Sequence, residues 1–190
     1  MMGWDEPLAV TLALAYLVFA IKEKRTAWIL AAASAALYLR IFFMVGLFME
    51  ASLQLFYIVM AGVGWISWGR DGSTAQLPIQ RWPASRHILL LAVVLVFGTS
   101  MGLLMSQFTN ASLPIPDSIT TLAALLTTWM VTQKVLENWL WWIGIDLLSI
   151  VLFLNRGLDL TALLFAGYVV LAAAGWLSWR QHYRAQTQCP

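Results

Sequence analysis

The sequence predicts an all-α membrane protein with seven transmembrane helices in a 3+1+3 arrangement. Of its 190 residues, 61% are apolar and only 11% are charged, a composition that cannot be divided between a buried core and a water-facing shell. Its apolar stretches are about 20 residues long, the length that a helix needs to cross hydrocarbon. The chain also repeats itself at a fixed distance, which indicates two copies of one three-helix unit.

The repeat is clearest at residues 51–68 and 162–179, which both end in Gly-Trp-x-Ser-Trp. A shift of 111 residues also places Trp28 on Trp139 and Phe42 on Phe153, and 16 of 61 aligned positions are identical. The shift maps the first three spans onto the last three and leaves the fourth unpaired. Three helices reverse the direction of the chain and one more restores it, so we expect two parallel repeats, as in transporters whose site lies between the halves.

The spans follow one another with short connections. The N-terminal residues lack the positive region and cleavage site of a signal peptide, so the first apolar stretch is kept as a span. The linker before the fourth span has the Gly, Pro and Ser content of a connector, and we assign it no other role. The predicted spans are residues 6–21, 27–45, 51–69, 88–107, 117–133, 137–155 and 160–179. The predicted domains are a first repeat over 1–69, a cytoplasmic linker over 70–87, a linker helix over 88–107, a second repeat over 108–180 and a cytoplasmic tail over 181–190.

The basic residues predict the orientation, because Lys and Arg are retained on the cytoplasmic side. Nine of the eleven fall on one side of the predicted spans, and only Arg40 and Arg156 do not. The N-terminus is therefore expected outside an inner (plasma) membrane and the C-terminus in the cytoplasm, with lipid around the chain. A net charge of +2 gives no reason to expect a nucleic-acid partner.

Spans 3, 5 and 7 contribute polar groups to the membrane. Gln54 and Tyr57 share a face of span 3, and Tyr168 occupies the place of Tyr57 in span 7. A lone amide in an apolar helix needs a partner, either another helix or a ligand. The threonines of span 5 either line a path or bond to their own helix backbone; they include Thr121, Thr128 and Thr132.

Span 6 carries the most distinctive pattern. At 100° per residue, Trp139, Trp142, Asp146, Ser149 and Phe153 fall within about 80° of one another. A carboxylate near the centre of a span is costly unless it is paired or functional. Asp146 therefore either faces a ligand or pairs with Arg40. Indole faces beside an acid suit a flat cation, whereas tryptophans near span ends are predicted to lie at the membrane interface: Trp4, Trp28, Trp68, Trp82, Trp129 and Trp179.

Two segments together resemble the nicotinamide riboside transporter family, the PnuC-type vitamin transporters. They are Glu137-Asn138-Trp139…Trp142…Asp146, and Ala51-Ser52-Leu53-Gln54 followed by Gly64-Trp65…Trp68-Gly-Arg70. The resemblance implies a homotrimeric inner-membrane uniporter for a soluble vitamin, which a cytoplasmic kinase phosphorylates and traps. It implies site residues Gln54, Asn138, Trp142 and Asp146. Relatives associated with nicotinamide riboside carry Asn where this chain has Ala61, so thiamine, also carried within the family, stays an alternative, as does riboflavin.

Other classes fit less well. The chain has no Gly-x-x-x-x-Gly-Lys-Ser/Thr nucleotide loop, no lysine within a span for a retinal Schiff base, and no paired catalytic groups, so we expect neither an enzyme nor a cofactor or metal. A SWEET-type sugar facilitator shares the 3+1+3 plan, but a sugar site would favour amides over a buried acid. A proton-coupled vitamin transporter also remains open. The candidate substrate-binding residues are Gln54, Tyr57, Asn138, Trp139, Trp142, Asp146 and Tyr168.

Overall fold

A computed structural model describes residues 4–44, 48–69, 76–108, 113–155 and 159–188. Arg70, Arg156 and Cys189 lie outside these residues. The described residues form seven helices: α1 (Asp5–Ile21), α2 (Ala27–Met44), α3 (Phe48–Ser67), α4 (Ala84–Phe108), α5 (Pro114–Thr132), α6 (Asn138–Asn155) and α7 (Asp159–Gln188).

Each predicted span corresponds to one of these helices, which confirms the all-helical assignment. The largest difference is at α7, which continues to Gln188, so that residues 181–188 of the predicted tail are helical. These residues are mostly good helix formers, and the next proline is Pro190. Among the described residues, the helices long and apolar enough to cross a membrane are α2, α4, α6 and the stretch Thr161–Gln188 of α7, with Ala51–Ser67 as a shorter apolar helix.

The chain divides into two compact units. The first contains α1, α2 and α3, in residues up to Ile79, together with residues Val131–Lys134. The second contains Gln80–Met130 and Val135–Gln188, and so holds α4, α6, α7 and most of α5. Within the first unit α2 packs against both α1 and α3, and within the second α6 packs against α7.

The first unit is held by a tryptophan that packs on a glycine. Trp28 of α2 covers Gly64 of α3 so closely that a Cβ at position 64 would overlap its indole ring. The ring also meets Trp68 edge to face, with ring centroids 5.3 Å apart. Ser34 Oγ donates to the Ala9 carbonyl at 2.9 Å and ties α2 to α1. A small residue at position 64 thus lets α2 and α3 approach closely.

The second unit contains the same arrangement. Trp139 of α6 covers Gly175 of α7, where a Cβ would lie 2.6 Å from the indole, and it meets Trp179 edge to face at 5.3 Å. These residues stand 111 positions after Trp28, Gly64 and Trp68. The interfacial interpretation is wrong for Trp28, Trp68, Trp82 and Trp179, which are buried, whereas Trp4 and Trp129 are exposed. Sequence position near a span end did not reveal the glycine or ring that each indole packs against.

The turn after α1 and the turn after α5 have the same backbone conformation. Glu23 has φ 54° and Lys134 has φ 48°, both left-handed, a conformation that a helix commonly adopts just beyond its end. The amides of Glu23 and Lys24 bond to the carbonyls of Ala20 and Phe19. The amides of residues 134 and 135 bond in the same way to the carbonyls of residues 131 and 130. Position 23 becomes position 134 under the 111-residue shift.

The linker before α4 is a packed segment and not only a connector. Gln80 forms an isolated parallel bridge with Val135, and its carbonyl accepts the Leu136 amide at 2.8 Å. Trp82 is buried in a cluster with Met130 and Val135. These contacts hold the linker against the start of α6, where the candidate site begins.

Candidate ligand site on helix α6

Asp146 is buried within the second unit, with 5% of its surface exposed. It lies in the middle of α6, where it is the only ionisable residue. It forms no hydrogen bond or ion pair with the described residues. A carboxylate in this setting is destabilising by itself and gains most from a cation or hydrogen-bond donor brought by a ligand.

Arg40, the alternative partner considered from the sequence, has a carboxylate within its own unit. Its Nη1 donates to Asp5 Oδ2 at 3.2 Å, and its side chain is 54% exposed. Arg40 thus has an acidic partner close by, and the ligand-facing interpretation of Asp146 stays a prediction.

Trp142 stands one turn before Asp146 on α6 and is half-buried. Part of its ring packs against a cluster of Val94, Ala123 and Ile145. This packing restricts the movement of the indole. A ring that is already restricted loses little further conformational entropy when a ligand stacks on it. A flat cation could then use the ring face and the carboxylate together.

Asn138 and Trp139 begin α6 and are both buried. Asn138 Nδ2 donates to the Val135 carbonyl at 2.6 Å, while its Oδ1 and Trp139 Nε1 have no hydrogen-bond partner. The ring of Trp139 is occupied by Gly175 and Trp179. Its indole face is therefore used for packing, and its N–H is the group that remains for a ligand or a water molecule.

Tyr168 is linked to the α6 stripe by a chain of aromatic rings. Phe153, at the end of the stripe, lies 5.0 Å from Phe165 of α7, and Phe165 lies 5.3 Å from Tyr168. Gln54 and Tyr57 belong to the first unit, where both are half-buried; the ring of Tyr57 meets Phe56 at 5.8 Å. The structure thus gathers five of the seven candidates in the second unit.

The threonines of α5 bond to their own helix. Thr121 Oγ1 donates to the Asp117 carbonyl and Thr128 Oγ1 to the Ala124 carbonyl, each within 2.9 Å. Of the two predicted alternatives, backbone bonding is confirmed for these two residues. Thr132 Oγ1 accepts a hydrogen bond from Gln133 Nε2 at 3.3 Å.

A polar cluster before α6 was not predicted. Glu137 Oε1 accepts from Arg81 Nε at 2.8 Å, and Oε2 accepts from the Trp82 amide at 3.3 Å. The hydrogen bond to Glu137 and its charge raise the pKa of the Arg81 guanidinium. Trp141 Nε1 donates to His87 Nδ1 at 3.2 Å. These contacts span more than 50 residues of chain, and no local pattern indicates them.

A second ion pair, in the first unit, joins positions related by the repeat. Lys134 Nζ donates to Glu23 Oε2 at 2.9 Å, with the lysine side chain only 1% exposed. The ammonium also lies 4.9 Å from the ring centroid of Trp68. The sequence contained a sign of this ion pair, since the 111-residue shift aligns the acidic Glu23 with the basic Lys134.

Comparison with known proteins identifies the family. A sequence model of the nicotinamide mononucleotide transporter family matches residues 3–181. The chain belongs to this family. Two relatives, each named nicotinamide riboside transporter PnuC, are 24% identical to it: one from Escherichia coli strain K12, over 94% of this chain and 85% of the relative, and one from Neisseria mucosa, over 93% and 72%.

The fold of this nicotinamide mononucleotide transporter family member also matches a solved structure, the crystal structure of the vitamin B3 transporter PnuC. The match has a TM-score of 0.73 at 23% identity and covers 97% of this chain and 83% of the other. The structural match shows a PnuC-type fold, and the family match together with the apolar helices indicates a multi-pass membrane transporter.

Proposed function

We propose that the protein is a facilitator for the uptake of a water-soluble B vitamin with a flat cationic ring, nicotinamide riboside first and thiamine second. The observation that carries the proposal is Asp146, a buried carboxylate without a partner among the described residues, one turn from an anchored indole. The relatives named as nicotinamide riboside transporters favour that vitamin. Ala61, in place of the asparagine expected for a ribose, is the reason to keep thiamine.

In this proposal Asp146 supplies the counter-charge and Trp142 the stacking face. Asn138 Oδ1, which lacks a donor, accepts from a ligand hydroxyl or amine. Trp139 contributes its N–H, because its ring face is already packed. Gln54, Tyr57 and Tyr168 are proposed to complete the contacts. A ligand that satisfies these groups converts their unfavourable burial into binding free energy.

We propose that the seven helices form two parallel three-helix repeats around the linker helix α4. The matched Trp–Gly packing and the matched turns at Glu23 and Lys134 support this architecture. The excess of basic residues on one side supports an N-terminus outside and a C-terminus in the cytoplasm. A homotrimer, embedded in inner-membrane lipid, is proposed from the family resemblance.

The proposed transport mode is uniport, with direction supplied by a cytoplasmic kinase that traps the vitamin. Asp146 is the only ionisable residue of α6, and a proton relay usually needs a chain of titratable groups. In proteoliposomes without a kinase, labelled vitamin should equilibrate without overshoot when a proton or sodium gradient is imposed. Accumulation beyond the level that membrane potential gives a cation would instead support the proton- or ion-coupled alternative.

Calorimetry on the purified protein tests the substrate class. We expect heat of binding with nicotinamide riboside or thiamine, and weaker or no binding with uncharged riboflavin and glucose. An Asp146→Asn variant serves as the matched control, because it removes the charge and keeps the shape. Glucose binding that the variant retains would reject the cation site and favour a sugar facilitator.

A further inference from the structure

The second unit contains an apolar cavity away from the α6 stripe. Its volume is about 490 Å³, within the range of ligand sites in proteins. It is open on one side and is lined by α4, α5 and α6. On α4 the lining runs from His87 to Leu95, a distance of about 12 Å along the helix axis. We call it the α4–α6 groove.

The groove and the candidate vitamin site lie on different faces of α6. The groove is lined by Leu140, Trp141, Gly144, Ile145 and Leu148. At 100° per residue, the mean direction of these five positions is about 150° from that of the stripe with Trp142 and Asp146. Trp142 packs against Val94, Ala123 and Ile145, which also line the groove, so an occupant of the groove would lie behind the packed side of that indole.

The lining of the groove is almost entirely apolar, and the one buried polar atom of its lining that lacks a hydrogen-bond partner among the described residues is His87 Nε2, at one end. Thr120 Oγ1 already donates within its own helix, to the Asp117 carbonyl at 2.9 Å. His87 Nδ1 already accepts from Trp141. The other lining residues carry apolar side chains or none. The groove thus suits a hydrocarbon chain, which needs no hydrogen bonds and gains by filling the space.

Gly144 keeps the groove open. A Cβ at this position would meet no atom within 4 Å, in contrast to Gly98 and Gly102 of α4, where a Cβ would collide with α5. Gly144 therefore has no packing role among the described residues, and its effect is to leave space beside the helix. A larger side chain here can leave the helix without a clash at its Cβ and would extend into the groove.

One end of the groove is cationic. His87 lines that end, and the next residue towards the linker is the exposed Arg86. The Arg86 guanidinium lies 4.7 Å from the ring centroid of Trp82 and pairs with no described carboxylate. The nearby carboxylate of Glu137 forms its ion pair with Arg81 and not with Arg86. Arg86 directly precedes the lining residue His87, so its charge is available next to this end of the groove.

We propose that the α4–α6 groove binds one anionic phospholipid, with an acyl chain along Leu91, Gly144 and Leu148 and the phosphate at Arg86. An acyl chain matches the apolar lining, and an anionic headgroup matches a cation that stands beside it. The lipid sits in the leaflet that faces the basic linker. It fills a space beside α6 on the face away from the vitamin site, and so supports the helix that carries Asp146.

Native mass spectrometry of the purified full-length protein tests the proposal, with dioleoylphosphatidylglycerol and dioleoylphosphatidylcholine as probes. The wild type should retain one phosphatidylglycerol per protomer and bind phosphatidylcholine more weakly. Gly144→Leu should lower phosphatidylglycerol binding at least tenfold. Gly167→Leu is the matched control, since Gly167 is also an exposed helical glycine with nothing within 4 Å of a Cβ, and it should bind like the wild type.

Arg86→Gln keeps the groove and removes the cation, so it should lower the preference for phosphatidylglycerol by about fivefold and leave phosphatidylcholine unchanged. If Gly144→Leu does not fold, the lipid preference of Arg86→Gln still tests the proposal. Equal phosphatidylglycerol occupancy in the wild type and Gly144→Leu would overturn the proposal. A change of oligomeric state in Gly144→Leu with lipid retained would assign the groove to a second copy. Vitamin binding by Gly144→Leu, measured separately, distinguishes a failure here from a failure of the proposed function.

Discussion

Two ionisable residues within apolar helices, Arg40 and Asp146, have opposite settings. Arg40 is more than half exposed and paired with Asp5. Asp146 is buried and has no partner among the described residues. The long arginine side chain can reach a polar region from within a span, whereas the short aspartate cannot. A buried carboxylate is costly without a counter-charge or a hydrogen-bond donor, and this is the physical basis for the proposal that Asp146 meets a ligand.

Trp142→Ala should weaken vitamin binding far more than Trp129→Ala. Both substitutions remove an indole from a membrane helix, but only Trp142 lies on the stripe with Asp146, and Trp129 is 42% exposed. Stacking on a cation contributes roughly 0.5–2 kcal/mol, so we expect a loss of between a few-fold and about thirtyfold in affinity. Titration calorimetry measures both variants, and equal losses would assign the stripe to packing.

Asp146→Asn should weaken the affinity for a cationic vitamin by about ten- to a hundredfold, the range for a lost bond to a charged group. Downhill entry at saturating vitamin should persist, because an open path needs no proton carrier. Initial uptake rates in proteoliposomes, measured over a range of vitamin concentrations, separate the two effects. An abolished maximal rate with unchanged affinity would make Asp146 a coupling residue.

The sequence predicted which residues of α6 share a face but not what each one contacts. Helical periodicity alone places Trp139 and Trp142 on one stripe. It cannot distinguish Trp142, which is half-buried, from Trp139, which is closed in by Gly175 and Trp179. The contact between His87 and Trp141 is also invisible, since it joins residues 54 positions apart. Such contacts are set by the packing of helices, which a single sequence does not specify.

At the scale of helices, the same combination of residue types, a tryptophan on a glycine, stabilises two helix contacts. Trp28 on Gly64 joins α2 to α3, and Trp139 on Gly175 joins α6 to α7. Apolar helices gain little by leaving lipid, so close packing has to supply the association. An indole ring that packs directly against a glycine, which has no side chain, provides that close contact.

Gly64→Ala should therefore destabilise the protein, because the new methyl group would overlap the Trp28 ring. Overpacking of this kind costs about 1–3 kcal/mol. Gly62→Ala is the control two residues earlier on the same helix, where a Cβ meets nothing within 4 Å, and alanine there should be neutral or slightly stabilising. Thermal unfolding in detergent measures both. A Gly62→Ala loss as large as that of Gly64→Ala would contradict the packing explanation.

The ion pair at the two matched turns gives a further prediction. Glu23→Gln or Lys134→Met alone leaves one buried charge without its partner, which costs about 3–5 kcal/mol. The double variant Glu23→Gln/Lys134→Met removes both charges together, so it should be more stable than either single variant. A double-mutant cycle of unfolding temperatures provides the measurement. Additive losses would show that the pair at 2.9 Å does not couple energetically.

At the scale of the whole molecule, the sequence predicted the helices well because length and hydropathy decide them. It misjudged the end of α7, where hydropathy falls after Trp179 but helix formation continues to Gln188. It also treated the linker as a plain connector, although Gln80 and Trp82 pack against the start of α6. Hydropathy indicates which residues lie in the membrane, but it does not indicate where a helix ends. It also does not indicate which residues a polar linker contacts.

The orientation of the chain can be tested directly. Nine of eleven basic residues fall on the proposed cytoplasmic side, so an alkaline phosphatase fused after Pro190 should be inactive and a fluorescent protein fused there should be bright. The same phosphatase, carrying its own export signal and joined directly to the N-terminus, is the control for expression and should be active, because that terminus is proposed to lie outside. An active C-terminal phosphatase would reverse the proposed topology.

The first compact unit is not continuous in sequence, since residues Val131–Lys134 complete it after more than 50 intervening residues. During synthesis, α1, α2 and α3 leave the ribosome well before Lys134, so the ion pair between Glu23 and Lys134 forms late. The first unit can close only when most of α5 has been inserted. Chains that stop before this point lack the Glu23–Lys134 ion pair, a difference by which insertion and quality-control factors could recognise unfinished molecules.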